Sequence, residues 1–116
     1  GPSSILLAAM SSGLNGQSFA FVGYLPIDKK QRTQRIRQLE ARAIDEGQTQ
    51  LFIETPYRNQ QLMEAILKAC RKQTRLSISA GLFTQQQFIG AKSIETWQQA
   101  GLPDLHKVPA VFAIGT

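Results

Sequence analysis

Short apolar stretches alternate with longer amphipathic ones along this chain, and this alternation restricts the fold more than any other feature. The stretches 19–25, 51–53 and 76–80 have the β-branched and aromatic content, or the apolar–polar alternation, of strands. Between them, 29–46 and 59–70 place apolar residues three and four positions apart, as one face of a helix requires. Strands that alternate with helices predict an α/β architecture, with a mixed, mostly parallel sheet flanked by helices.

Residues with known roles at helix ends mark where these helices start and stop. Asp28 is placed to cap the helix from Lys29 to Glu46, and Gly47 to end it. Asn59 is predicted to cap the next helix. The remaining predicted elements are a first helix carrying Ile5, Leu6, Ala9 and Met10, capped by Ser3 and Ser4 and ended by Gly13, a turn at Asn15–Gly16, a strand over 88–94, a short helix over 95–100 and a final strand over 109–114.

The length and composition fit one compact domain. A chain of 116 residues with 42% hydrophobic residues can bury one core, so we expect residues 1–116 to form a single domain. It starts and stops flush with predicted elements, which suggests an excised domain. Cys70 is the single cysteine, so an intrachain disulfide is impossible and a reducing cytoplasm fits. The apolar runs are too short to cross a bilayer, and we expect no membrane partner.

The charge of the chain permits an anionic partner. The formal net charge is +5, and several cations fall on the helix that begins at Lys29. Phosphate contacts need several cations on one surface, which makes RNA a candidate partner. The alternative is that these cations form an ordinary solvated helix face, since many small soluble domains are equally basic. The cations concerned are Lys29, Lys30, Arg32, Arg35, Arg37 and Arg42.

Several common catalytic patterns are missing from the sequence. It contains neither a GxGxxG fingerprint nor a P-loop, and one histidine with one cysteine cannot build a zinc site. His106 lies in a loop with prolines on both sides, where we expect a surface or structural role rather than catalysis.

The segment Glu54-Thr55-Pro56-Tyr57-Arg58 is the strongest local candidate for a site. Ligands of open α/β sheets bind beyond the carboxyl ends of strands, and this segment follows a predicted buried strand. Arg58 could hold a carboxylate or phosphate, and Tyr57 offers a flat face and a donor. The alternative is a structural turn in which Glu54 and Arg58 pair with each other.

The order of these segments resembles the second domain of the tetrapyrrole methylases. The opening Gly1-Pro2-Ser3-Ser4 is similar to a Pro-Gly-Pro-Ser-Ala motif of the branch that methylates the 2′-oxygen of a ribosomal RNA cytidine. Gly23-Tyr24-Leu25-Pro26 is similar to Gly-Phe-Leu-Pro, and the segment 54–58 to Glu-Ala-Pro-His-Arg. After the third strand, that branch has Arg-Glu-Leu-Thr-Lys where this chain has Ala80-Gly81-Leu82-Phe83-Thr84-Gln85, as a diverged paralogue would.

The resemblance implies the carboxy-terminal half of an S-adenosylmethionine-dependent methyltransferase. The methyl donor would lie in a cleft between this domain and a missing amino-terminal domain of the same chain, and the enzyme would be a homodimer. The residues expected to face the donor are Ser3, Ser4, Glu54, Thr55, Pro109 and Ala110. Those expected near the acceptor, with ribosomal RNA as the candidate, are Tyr57, Arg58, Lys29, Lys30 and Arg32. The alternatives are a non-catalytic RNA-binding module and a dimerisation module.

Overall fold

The computed structural model describes residues 14, 18–81, 84, 85 and 87–116, and their helices and strands follow one another in the predicted order. The strands are β1 (Phe19–Tyr24), β2 (Thr49–Ile53), β3 (Arg75–Ala80), β4 (Phe88–Ser93) and β5 (Ala110–Gly115). The helices are α1 (Lys29–Glu46), α2 (Asn59–Ala69) and α3 (Ile94–Ala100), with a 3-10 turn, Pro56–Arg58, before α2. The predicted first helix with Ser3 and Ser4, and the turn at Asn15–Gly16, lie outside the described residues. No described helix combines the length and apolar character needed to cross a bilayer.

The five strands form one mixed sheet in the order β1-β2-β5-β3-β4. β1 pairs with β2 in parallel, whereas β5 lies antiparallel between β2 and β3, and β4 lies antiparallel to β3. The predicted α/β architecture with a mixed sheet and packed helices is confirmed. β1, β2 and β3 run in the same direction, as a mostly parallel sheet requires. Among neighbouring strands of the described sheet, however, just β1 and β2 are parallel, because β5 lies antiparallel between β2 and β3 and β4 is antiparallel to β3.

Helix α1 begins and ends where the sequence predicts. The Asp28 carboxylate accepts a hydrogen bond of 3.0 Å from the backbone N–H of Gln31, which satisfies one free donor of the first turn. At the other end Gly47 adopts a left-handed conformation with φ of 61°. The apolar face of α1, formed by Ile36, Leu39 and Ala43, is fully buried against the sheet.

The start of α2 differs from the prediction. Asn59 is the first helical residue, not the cap, and Arg58 occupies the cap position without a side-chain hydrogen bond to the helix. The Asn59 amide is buried and donates to two carbonyl oxygens of a distant loop, at Leu105 and Val108. The prediction was wrong because the side chain satisfies a long-range loop instead of the local backbone.

The main core lies between the sheet and the three helices. Phe52 and Phe112 stack with ring centroids 6.2 Å apart, and Trp97 of α3 donates its indole N–H to the carbonyl oxygen of Leu76, at 2.8 Å. A smaller cluster of Leu51 and Ala113 lies on the opposite face of the sheet.

Two strand predictions differ from the structure in detail. The alternation in β3 predicted a half-buried strand, but Ser77 and Ser79 are buried as well, so both faces of this interior strand are shielded from solvent. The strand predicted over 88–94 ends at Ser93, whose hydroxyl accepts a hydrogen bond of 3.1 Å from the N–H of Thr96 and so caps α3.

Candidate functional site

One edge of the sheet gathers most of the predicted site residues. β1, β2 and β3 run in the same direction, so their carboxyl ends meet at this edge, and β5 runs the opposite way and begins there. The N–H of Gly81 donates to the carbonyl oxygen of Pro109 at 2.9 Å, which joins the end of β3 to the start of β5. We call Glu54, Thr55, Gly81, Pro109 and Ala110 the strand-end cluster.

Glu54 is a buried carboxylate with one oxygen satisfied and one open. The residue is 5% exposed, and its Oε1 accepts hydrogen bonds from the N–H of Thr55 at 2.7 Å and from Nε of Arg58 at 3.3 Å. Its Oε2 is buried and has no hydrogen-bond partner among the described residues. The pairing of Glu54 with Arg58, the alternative that the sequence offered for this segment, therefore forms, and it leaves Oε2 without a partner among the described residues.

The hydroxyl of Thr55 is open in the same way. Its Oγ1 is buried without a partner in the described part of the chain. A buried polar atom that lacks a hydrogen bond costs about 1–3 kcal/mol, so two of them side by side at the end of one strand need an explanation. A ligand that supplies hydrogen-bonding groups at this edge would satisfy both Glu54 Oε2 and Thr55 Oγ1.

The loop that leads into β5 is held in place by the start of α2. Nδ2 of Asn59 donates to the carbonyl oxygens of Leu105 at 3.0 Å and Val108 at 2.6 Å. The N–H of Leu105 donates to Oε1 of Gln60 at 2.7 Å. These contacts fix the approach to Pro109 and Ala110 relative to Glu54. The sequence contained no signal for this role, because the partners are more than 40 positions from Asn59.

Aromatic and cationic side chains lie on the rim of this edge. Tyr57 is 68% exposed and its ring meets that of His106 edge-on, with centroids 6.0 Å apart. Nζ of Lys107 lies 5.8 Å from the Tyr57 ring centroid, and the N–H of Lys107 donates to the carbonyl oxygen of Pro56. A cleft of about 610 Å³ separates the loop containing Pro103 and Val108 from the start of β4. Tyr57 is therefore exposed for contact with a bound molecule, whereas Arg58 donates its Nε to Glu54 and keeps 33% of its side chain exposed.

The other predicted residues divide between this edge and α1. Pro109 is exposed and Ala110 is buried within the strand-end cluster. Lys29 and Lys30 are exposed in the first turn of α1, whereas Arg32 is only 6% exposed. The structure thus brings together Glu54, Thr55, Pro109 and Ala110 but places the cations on a separate helix. Ser3 and Ser4 lie outside the described residues.

His106 and Cys70 belong to residue types that often serve in catalysis, but their contacts here are those of structural residues. The exposed His106 donates its backbone N–H to the carboxylate of Asp104 and packs edge-on against Tyr57. Burial, reinforced by the neighbouring Glu40 carboxylate, raises the pKa of the Cys70 thiol far above its ordinary value, which leaves a neutral and inert thiol. The described residues include no cluster of three or more His, Cys, Asp or Glu side chains that could hold a metal ion.

Two solved structures of methyltransferases share this fold. The chain superposes on the methyltransferase CobJ with a TM-score of 0.58 and 16% sequence identity, over 97% of this chain and 47% of that one. It superposes on the cobalamin biosynthetic enzyme cobalt precorrin-4 methyltransferase, CbiF, with a TM-score of 0.57 and 10% identity, over 97% of this chain and 48% of that one. No protein-family model matches the sequence, and no curated protein matches it significantly.

These comparisons define the fold class. The five-stranded mixed sheet with its helices is also present in these two methyltransferases, and this chain spans about half the length of each. At 16% and 10% identity the likeness concerns the fold, and the predicted α/β class is confirmed by it.

Proposed function

We propose that this domain is one half of an S-adenosylmethionine-dependent methyltransferase of the tetrapyrrole methylase type, and that the strand-end cluster forms part of the donor cleft. The observation that carries the proposal is the pair of buried, unpartnered atoms Glu54 Oε2 and Thr55 Oγ1 at the carboxyl edge of the sheet. Ligands of open α/β sheets bind at such edges. The shared fold with two methyltransferases supports the same assignment.

The residues of the strand-end cluster fit a ligand with hydroxyl and ammonium groups. The open oxygen of Glu54 can accept a hydrogen bond from either group, and Thr55 can donate or accept one. Pro109 and Ala110 lie beside Gly81 and offer the backbone at the start of β5 as a second contact. The predicted donor contacts of Ser3 and Ser4 belong to the same proposal.

Methyl transfer requires the protein mainly to position the donor and the acceptor. The donor supplies a methyl group that its sulfonium already activates, so holding donor and acceptor in line accounts for most of the acceleration. Glu54 and Thr55 would orient the donor, and Tyr57 would pack beside the acceptor. This division needs no general acid or base from the strand-end cluster.

Loss of donor affinity on mutation tests the proposal. In the full-length protein, Glu54→Gln should weaken binding of S-adenosylhomocysteine about tenfold or more, because a charge-assisted hydrogen bond is lost at a buried position. Thr55→Val, of similar shape, should weaken it about fivefold. Calorimetric titration measures both affinities, with thermal unfolding as a check of folding.

The matched control is Glu46→Gln, which neutralises a carboxylate of the surface pair with Arg42 and should leave donor affinity unchanged. If the full-length wild-type protein does not bind S-adenosylhomocysteine, the proposed methyltransferase function is wrong. RNA binding without donor binding would instead point to a non-catalytic RNA-binding module.

We further propose that the rest of the protein supplies the other wall of the cleft, that the enzyme is a homodimer, and that its acceptor is ribosomal RNA. The half-length match supports the first point, and the basic α1 helix supports an anionic acceptor. Residues 1–116 alone should then transfer no methyl groups, and turnover by them would contradict a shared cleft. Labelled donor offered with small-subunit ribosomal RNA or with a tetrapyrrole distinguishes the two acceptor classes.

A further inference from the structure

A groove of about 330 Å³ between α1 and α2 concentrates positive charge. Four cationic side chains line it, from Lys29, Arg32, Arg37 and Lys68, against the single carboxylate of Glu64. Within the described part of the chain, none of these four cations takes part in an ion pair. The residues that line the groove therefore have a formal net charge of +3.

Arg32 is the part of this groove that most requires a partner. The residue is 6% exposed, and its Nε is buried without a hydrogen-bond partner among the described residues. A guanidinium stays charged at any pH that a protein tolerates, so it cannot relieve burial by losing its proton. An oxyanion in the groove would provide both the missing acceptor and the opposite charge.

The order of charges along α1 points the same way. Its first nine residues, 29–37, contain five cations and no acid, whereas 38–46 contain Arg42 against Glu40, Asp45 and Glu46. The dipole of a helix favours the reverse order, with acids at the start and cations at the end. The cations at the start of α1 are thus placed against the preference of the helix itself.

We propose that the α1–α2 groove binds a phosphate-bearing anion. A phosphate group brings more charge and more acceptors into a small volume than a single carboxylate, which suits four cations facing one acid. The groove runs from Lys29, which follows β1, along the helices to Lys68, and it shares no residue with the strand-end cluster. The proposal therefore does not depend on methyl transfer.

The test titrates two probes, inorganic pyrophosphate and a short single-stranded oligoribonucleotide, into the full-length protein by calorimetry at low salt. Arg37→Gln and Lys68→Gln, both at exposed positions, should each weaken binding about three- to fivefold. Arg32→Gln should weaken it about tenfold or more, because the buried guanidinium is the central donor. For the oligoribonucleotide, each lost cation should reduce the salt slope by roughly 0.7.

Arg42→Gln is the matched control, because Arg42 lies on the same helix, pairs with Glu46 and does not line the groove. The affinity of Arg42→Gln for each probe should stay within about 1.5-fold of the wild-type affinity. Binding of pyrophosphate would identify a small phosphorylated ligand, and binding of the oligoribonucleotide alone would identify an RNA backbone. Failure of both probes to bind, or an equal loss in Arg42→Gln and Lys68→Gln, would overturn the proposal. Binding of S-adenosylhomocysteine reports separately on the methyltransferase function.

Discussion

At the scale of single residues, Asn59 shows how one buried amide can position a loop of the site. Its Nδ2 donates to the carbonyl oxygens of Leu105 and Val108, and the Leu105 oxygen also accepts the backbone N–H of Val108 at 3.1 Å. Asn59→Ala should lower the free energy of unfolding by about 1–3 kcal/mol, because two hydrogen bonds from a buried amide to the loop are lost. Urea unfolding measures the loss.

The control for this prediction lies on the same helix. Gln61 is exposed, and Gln61→Ala should change the free energy of unfolding by less than about 0.5 kcal/mol. An equally small effect of Asn59→Ala would show that the loop keeps its conformation without the amide.

The buried thiol of Cys70 predicts that the free energy of unfolding depends on pH in the alkaline range. Burial and the nearby Glu40 carboxylate raise the pKa of this thiol above its ordinary value of 9.0, so in the alkaline range only the unfolded chain ionises it. The unfolded state then loses the proton that the folded state keeps, and the free energy of unfolding should fall as pH rises above about 9, by up to ~1.4 kcal/mol per pH unit.

The variant Cys70→Ala isolates this contribution. It should lack the alkaline slope that belongs to the thiol, while every other titrating group is retained. Chemical unfolding at several pH values between about 8 and 10.5 measures the difference between the two proteins. Parallel curves would show that the thiol ionises equally in both states.

At the scale of elements, the charges of α1 oppose its helix dipole, because its cations lie near the start of the helix and most of its acids near the end. Lys29→Glu should raise the free energy of unfolding by about 0.3–1 kcal/mol, because an acid replaces a cation at the positive end of the helix dipole. Lys29→Gln should give about half that gain. Thermal unfolding at low salt measures both.

The same substitution carries a cost at the groove. Lys29→Glu should weaken pyrophosphate binding more than Lys29→Gln does, since it adds a repulsive charge to the lining. A variant that gains stability and keeps its affinity would show that Lys29 does not contribute to the groove.

The sequence predicted local features of these elements better than long-range ones. Asp28 and Gly47 delimit α1 because capping depends on neighbours within four residues. The segment 54–58 was placed correctly at the sheet edge, and its Glu54–Arg58 pair is also local. By contrast, the contacts of Asn59 and the pairing of β5 with β2 join segments more than 40 positions apart, which no local pattern encodes.

At the scale of the whole molecule, the strand-end cluster and the α1–α2 groove are two separate features. The first contains buried polar atoms without a hydrogen-bond partner among the described residues, at the carboxyl ends of the strands, and the second carries positive charge between two helices. If both proposals hold and the two sites are not coupled, the double variant Glu54→Gln with Lys68→Gln should lose the same binding free energy for the donor as Glu54→Gln alone, and for phosphate as Lys68→Gln alone. Titrating each ligand in the presence of the other measures any coupling.

The position of β5 also governs how this domain can emerge from the ribosome. β2 and β3 are made first, yet each has the later β5 as its neighbour at the centre of the sheet. Until Ala110–Gly115 has been synthesised, β2 and β3 each lack a strand on one side, and we expect the unpaired N–H and C=O groups of those edges to favour association with other nascent chains. We therefore expect the growing chain to be most prone to aggregation in the interval between the synthesis of β3 and that of β5.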